Sequence, residues 1–196
     1  MLTTIISNNC MGGVICSRHH MQFKSPTVAL QILPEEFPKF CDNLTHYIES
    51  ELVKYPIEEF TEEHKRYALR MYNKIPNEFP YGRIDDIMVC FQHYKTFEEA
   101  KEKWDRRKAR IEWDHLGYVM HSEWDRYKPE IKKFLDLNLP HSVALTKGFS
   151  VFSSYRHSYQ FTVPEVPGID DFGSYNGKWV VEICSHYNEE EFLRGE

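Results

Sequence analysis

The 196-residue sequence has no run of about 18 apolar residues, so no membrane span is expected. Its opening apolar stretch is too short for a secretory leader and lacks a cationic lead, so no targeting segment is expected either. The five cysteines, Cys10, Cys16, Cys41, Cys90 and Cys184, are odd in number, scattered and never in C-x-x-C spacing. That pattern argues against a disulfide framework and for reduced thiols in a cytoplasmic protein. Despite ten histidines there is no H-x-x-x-H, no H-x-H and no clustered Cys/His spacing, so no metal site is expected. A P-loop, a G-x-G-x-x-G turn and a G-x-S-x-G elbow are all missing, which removes local support for nucleotide hydrolysis, Rossmann-type dinucleotide binding and the α/β-hydrolase route. Asp170-Asp171-Phe172-Gly173 carries the letters of a kinase metal-binding motif, but its companion motifs are absent. No internal repeat or low-complexity tract occurs.

What is present is an ordinary globular composition, 41% hydrophobic and 28% charged, with an aromatic share of 15%. A formal charge of -6 argues against a general nucleic-acid or anionic-membrane binder. The opening Thr3-Thr4-Ile5-Ile6 run suits a buried strand, and it breaks into Ser7-Asn8-Asn9-Cys10-Met11-Gly12-Gly13. The paired glycines suit a tight turn, with a short helix over 14–21 behind it. Further strands are expected at 87–92, 116–120, 142–145, 159–163 and 179–184, while 27–33 reads as a strand or as a loop packed on the core. Helices are expected from Pro34 to about Val53, from Thr96 to about Trp113 and over 123–137, with a short acidic helix at the end. Residues 79–83 read as a turn, and 55–77 as short strands. Strands alternating with helices predict one α/β domain over 1–196, three-layer α/β/α with a mainly parallel, partly mixed central sheet. Within it, 55–80 reads as an insertion or hairpin excursion.

In such a sheet, ligands bind where strand carboxyl ends converge. The residues just beyond the inferred strands are Asn8-Asn9-Cys10, His93-Tyr94-Lys95, His121-Ser122 and Thr146-Lys147-Gly148. Polar residues also follow strands simply because loops are wet. Cys10, at a helix N-terminus, reads as a nucleophile with His93 as its base, as a filler beside anion-binding N–H groups, or as an inert thiol. Asn8, Asn9, Gly12 and Gly13 offer amide and backbone donors to an anion. Arg107 falls inside the apolar stripe Phe97, Ala100, Trp104, Ile111, where a guanidinium needs a partner; an acid such as Asp85 or Asp86, or a ligand anion, would serve. Arg110 and Lys147 extend the anion-binding set. Histidine titrates nearest neutral pH, which makes His93 the candidate general base.

Ser7-Asn8-Asn9-Cys10-Met11-Gly12-Gly13, Ser25-Pro26-Thr27, Tyr81-Gly82, His93-Tyr94 and 98–107 with Arg110 resemble domain-of-unknown-function family 1919 over about Thr3 to Lys147. Its bacterial members are often labelled exopolysaccharide or capsular-polysaccharide biosynthesis proteins. The family usually has tryptophan where this chain has Met11. The resemblance implies an α/β/α fold and a role in surface-polysaccharide assembly. The asparagine–cysteine turn also resembles that of a capsule-biosynthesis family proposed to transfer acyl groups from coenzyme A. The resulting expectation is a cytoplasmic transferase binding an anionic donor (a nucleotide-sugar, a sugar phosphate or acyl-CoA as co-substrate) and a sugar acceptor, without nucleic acid. The alternative is a non-catalytic binding or regulatory module that contacts the polysaccharide assembly proteins.

Overall fold

The β-branched opening run forms strand β1 (Thr4–Ser7), every residue of it buried. The computed structural model describes residues 1–122, 124–147, 158–161 and 187–195. β1 lies in a parallel sheet of order β1-β6-β7-β8, with β6 at Leu116–Ser122, β7 at Ser142–Lys147 and β8 at Ser158–Phe161. Register runs Thr4↔Leu116 to Ser7↔Val119, then Tyr118↔Ser142 to Ser122↔Thr146. Period-2 alternation gives this sheet two apolar faces. Ile5, Val119, Val143 and Leu145 meet Met11 and Ile15 of helix α1 (Met11–Arg18) and Phe192 and Leu193. Ile6, Tyr118, Met120 and Ala144 face a larger core holding Phe37, Phe40, Trp104 and Phe134.

A second sheet is antiparallel, of order β2-β5-β4-β3, with β2 at Gln31–Ile32, β3 at Leu52–Lys54, β4 at Tyr81–Ile84 and β5 at Ile87–Cys90. The fold is therefore α/β with one parallel and one antiparallel sheet, rather than a single mainly parallel one. The strand that precedes His93 belongs to the antiparallel sheet, which corrects its expected place on the parallel rim. Residues 81–83 are strand rather than turn. Gly82 is required there by close approach: a Cβ would lie 2.6 Å from Leu52 Cδ1 and 2.8 Å from Phe91 Cε2. The reversal falls at Asp85-Asp86, with Asp85 left-handed at φ 52°.

The expected helix from Pro34 to Val53 is two helices, α2 (Phe37–Asp42) and α3 (Leu44–Glu49), parted by Asn43 at φ -127°, ψ 47°. The segment expected as short strands holds helix α4 (Glu62–Tyr72). Thr61 caps its N-terminus by accepting from the His64 N–H, Glu62 and Glu63 complement its dipole, and His64, Ala68 and Met71 are its buried side. Helix α5 (Phe97–Lys108) starts as expected, with Thr96 accepting from the Glu99 N–H. Helix α6 (Lys128–Asp136) follows a 3₁₀ turn, and the short acidic helix is α7 (Glu189–Arg194). The strand expected at 179–184, with Cys184, and the motif at 170–173 lie outside the described residues.

The glycine pair is not a turn; it sits inside the first turn of α1. Gly12 is buried there, and its N–H donates to Ser7 Oγ at 3.0 Å. A Cβ on Gly12 would stand 2.6 Å from that oxygen, whereas one on Gly13 would meet only Val28 Cγ1 at 3.1 Å. Gly12→Ala should therefore cost about 1–3 kcal/mol of stability, an overpacking penalty. Gly13→Ala should be close to neutral, since better helix propensity offsets a mild contact. Urea denaturation of the two variants checks the ranking; equal stabilities would refute it.

Candidate functional site

At the carboxyl end of β1 the chain must leave a buried strand and enter α1 within three residues. Asn8 makes this possible. Its Nδ2 donates to the His121 carbonyl at 3.0 Å, and its Oδ1 accepts from the His121 N–H at 2.8 Å. The side chain thus pairs with the β6 backbone as a further residue of strand would. Asn9 then turns the chain: its Oδ1 accepts from the Met11 N–H at 3.0 Å, and its Nδ2 donates to His121 Nδ1 at 2.8 Å. Ser7 Oγ donates to the Asn9 carbonyl at 2.7 Å while accepting from Gly12. This leaves Cys10, half-buried, at the N-cap of α1.

Although His93 follows an antiparallel strand, the two sheets meet at this point. The Ile32 N–H donates to the Asn8 carbonyl at 2.9 Å, and Ile32 pairs with Val89 of β5. The loop after β5 is closed by the Tyr94 N–H donating to the Phe91 carbonyl. It brings the exposed His93 to Cys10, with Sγ and Nε2 2.9 Å apart. Burial pushes the Cys10 thiol up to about 11, against a smaller opposing effect of its own backbone N–H. A thiol held protonated is the donor of this contact, with Nε2 as its acceptor. The thiolate then arises by proton transfer to His93 rather than as a resting ion.

The expected anion-holding groups divide. The side-chain amides of Asn8 and Asn9 and the N–H of Gly12 are engaged in the framework just described. The Gly13 N–H has no acceptor among the described residues. Arg107 meets neither Asp85 nor Asp86. Its Nη1 donates to the Val28 carbonyl and to Tyr94 Oη, both at 2.8 Å, and its guanidinium lies 5.7 Å from the Phe23 ring centroid. Half-buried, it satisfies the need for a partner with a carbonyl and a phenol instead of a carboxylate. It thereby ties down the segment whose Thr27 Oγ1 accepts from the Ser7 N–H at 3.0 Å. Arg110 is exposed just beyond α5, and the Lys147 side chain lies outside the described residues. Ser7 and Thr27 are the structural members that sequence reasoning missed. Their signal was the Ser25-Pro26-Thr27 element, whose hydroxyls hydrogen-bond each other at 2.8 Å. Among the described residues no cluster of three metal-ligating side chains forms, and no helix is long and apolar enough to cross a membrane.

His121 is buried, and burial lowers its imidazole from 6.5 to about 4. Neutrality suits Nδ1 as the acceptor from Asn9. Because the folded value lies below the unfolded one, the full stability holds above about pH 6.5 and declines as the pH falls toward 4. The loss should reach about 3 kcal/mol relative to His121→Gln, measured by urea denaturation across that range. A difference that does not change with pH would refute the buried neutral ring. Cys10 gives a second test. With His93 accepting its proton, iodoacetamide should modify Cys10 at pH 8 roughly tenfold faster in the wild type than in His93→Ala. Equal rates, read by peptide mass spectrometry, would show that the contact does not activate the sulfur.

Comparison with known proteins places the chain in a family. The chain is 29% identical over 177 residues to an uncharacterized protein of Haemophilus influenzae, covering 89% of this chain and 77% of that protein. The model described as "Domain of unknown function (DUF1919)" matches residues 2–184, which take in the whole of β1, the Asn8–Cys10 turn, His93 and β6. The chain belongs to domain-of-unknown-function family 1919.

Proposed function

We propose that this protein is a transferase that passes an acyl group through the Cys10 thiol, with His93 as the base. The observation that carries the reading is the 2.9 Å approach of His93 Nε2 to Cys10 Sγ at the N-terminus of α1. The sulfur proton moves to Nε2 as Sγ attacks the carbonyl carbon of a donor thioester such as an acyl-CoA. The donor thiolate leaves with that proton, and a thioester remains on Cys10. His93 then takes the proton of an acceptor hydroxyl, whose oxygen attacks the thioester; the released Cys10 sulfur regains the proton. The Gly13 N–H, which has no acceptor among the described residues, supports the reading as a donor to a developing oxyanion. A sugar hydroxyl as acceptor, cytoplasmic acyl-CoA as donor and a role in surface-polysaccharide synthesis complete the proposal. The two apolar faces of the parallel sheet fit a three-layer α/β/α domain with this rim at one edge.

A second reading, a module that binds donor or precursor without turnover, is favoured by one observation. Among the described residues no group orients His93 through Nδ1, so the dyad lacks a third member.

Incubating the protein with acetyl-CoA and longer acyl-CoAs, followed by intact-mass analysis, separates the two. A covalent acyl adduct labile to hydroxylamine is expected on Cys10. It should be lost in Cys10→Ala and should form 10²–10⁴-fold more slowly in His93→Ala, roughly the contribution of a positioned base. Binding of a donor without any adduct would overturn the transferase reading in favour of the module.

A further inference from the structure

Away from Cys10, the segment joining β2 to α2 carries two adjacent buried glutamates with different surroundings. Glu36 is satisfied: its Oε1 lies 3.0 Å from His64 Nε2, and the carboxylate accepts from the Met88 N–H. Glu35 is not. Its Oε1 accepts from Arg70 Nη1 at 3.1 Å, but its Oε2 is buried without a protein partner, in a side chain only 4% exposed. Glu130 of α6 repeats the arrangement, with Oε1 accepting from the same Arg70 Nη1 at 2.8 Å and Oε2 unpartnered. One guanidinium nitrogen therefore serves two buried carboxyl groups, and an oxygen of each is left over.

Glu35 lines two neighbouring clefts, of about 520 Å³ and 290 Å³, whose lining also shares Tyr67 and Lys133. The larger falls within the size range of small-molecule pockets, roughly 300–1,000 Å³. Glu36, Glu63, Asp85 and Asp86 also line the larger cleft, each already paired with His64, Arg66, His46 or Lys39 respectively, whereas its cations are unevenly satisfied. Lys39 pairs with Asp86, whereas Lys133 has no carboxylate partner among the described residues. Arg83 likewise has none, lies with its guanidinium 5.1 Å from the Tyr55 ring centroid, and keeps a buried, unpartnered Nε. Unused carboxyl oxygens ask for donors, and unpaired cations ask for an anion. A ligand that satisfies both is an anion bearing hydroxyl groups.

We propose that the paired clefts bind a phosphorylated sugar, its hydroxyls held by Glu35 and Glu130 and its phosphate by Arg83 and Lys133. Burial also lifts the Glu35 carboxyl to about 7, with Glu130 adding to the rise against Arg70. A carboxyl that is half neutral at physiological pH both donates to and accepts from hydroxyls, which suits a polyol better than an ammonium ligand. The site uses none of the residues assigned to acyl transfer.

Calorimetric titration with glucose 1-phosphate, inorganic phosphate and glucose tests the assignment on the intact chain. Glucose 1-phosphate should bind, roughly tenfold tighter than either fragment. Lys133→Ala, at an exposed position that leaves the fold intact, should weaken it by several-fold, and Lys133→Glu should weaken it further. Glu35→Ala should also reduce affinity; if that variant fails to fold, the sugar phosphate against phosphate comparison decides the carboxyl half. No binding of glucose 1-phosphate at millimolar concentration, equal affinity for inorganic phosphate, or unchanged affinity in Lys133→Ala overturns the proposal.

Discussion

The candidate site depends on one fully buried amide. Asn8 is inaccessible to solvent and takes part in four hydrogen bonds: to the Val119 carbonyl, from the Ile32 N–H, and twice with the His121 backbone. Inside a core each of these groups would be costly if left unpaired, on the order of 1–3 kcal/mol. Satisfying all of them at once permits a single geometry. β1 is held in register with β6, the second sheet is attached through Ile32, and the chain is aimed into α1. The contact between Cys10 and His93 follows from that geometry. The two residues stand 83 positions apart and come from elements of different sheets, so no local preference could unite them.

The neighbouring residues show why the turn is built from small polar side chains. Ser7 Oγ bonds the Asn9 carbonyl and the Gly12 N–H, and Asn9 Oδ1 accepts from the Met11 N–H, so three of the turn's bonds close within five residues. A larger side chain at Gly12 would displace the Ser7 hydroxyl, and the turn would lose two bonds for one steric conflict. Farther out, Arg107 acts through the segment it holds. Its bond to the Val28 carbonyl and the Thr27 bond to the Ser7 N–H fasten two consecutive residues, and the Val28 side chain lies against Gly13. A guanidinium in an apolar stripe is here a clamp on backbone carbonyl oxygen, which needs no counter-charge.

Much of this was legible in the sequence, and the failures have physical causes. β1, the cap at Thr96, the strand at 142–145 and the terminal acidic helix are written in local signals: β-branched runs, a hydroxyl before acidic residues, and periodicity. Helix α4 reads as strand in the sequence because Tyr67-Ala68-Leu69-Arg70-Met71-Tyr72 shows a strand-like alternation. Its actual inner side is His64, Ala68 and Met71, and His64 counts as core only because Glu36 and Tyr55 satisfy its ring. Leu69, apolar in the pattern, is 49% exposed. Gly82 reads as a turn residue because the sequence does not show Leu52 and Phe91 crowding its backbone. The meeting of His93 with Cys10 was anticipated on the premise of one parallel sheet. It occurs instead because an antiparallel sheet is joined to the parallel one at Asn8.

The two polar centres of the molecule differ in how their atoms are satisfied, and the difference bears on what each can do. Around Cys10 the buried framework of Ser7, Asn8, Asn9 and Gly12 satisfies its side-chain donors and acceptors within the protein, and the sulfur meets the imidazole of His93 without any ligand. Around Glu35 the opposite holds. Two carboxyl oxygens and an arginine Nε are withdrawn from solvent without protein partners, each carrying a desolvation cost that the surrounding packing must offset. A fold that tolerates such a cost beside a cleft gains binding energy when a ligand supplies the missing partners. Only two residues, Leu33 and Pro34, separate Ile32, which anchors Asn8, from Glu35. The short rigid connection that fixes the first centre therefore also positions the second, and a change in its backbone would be felt at both.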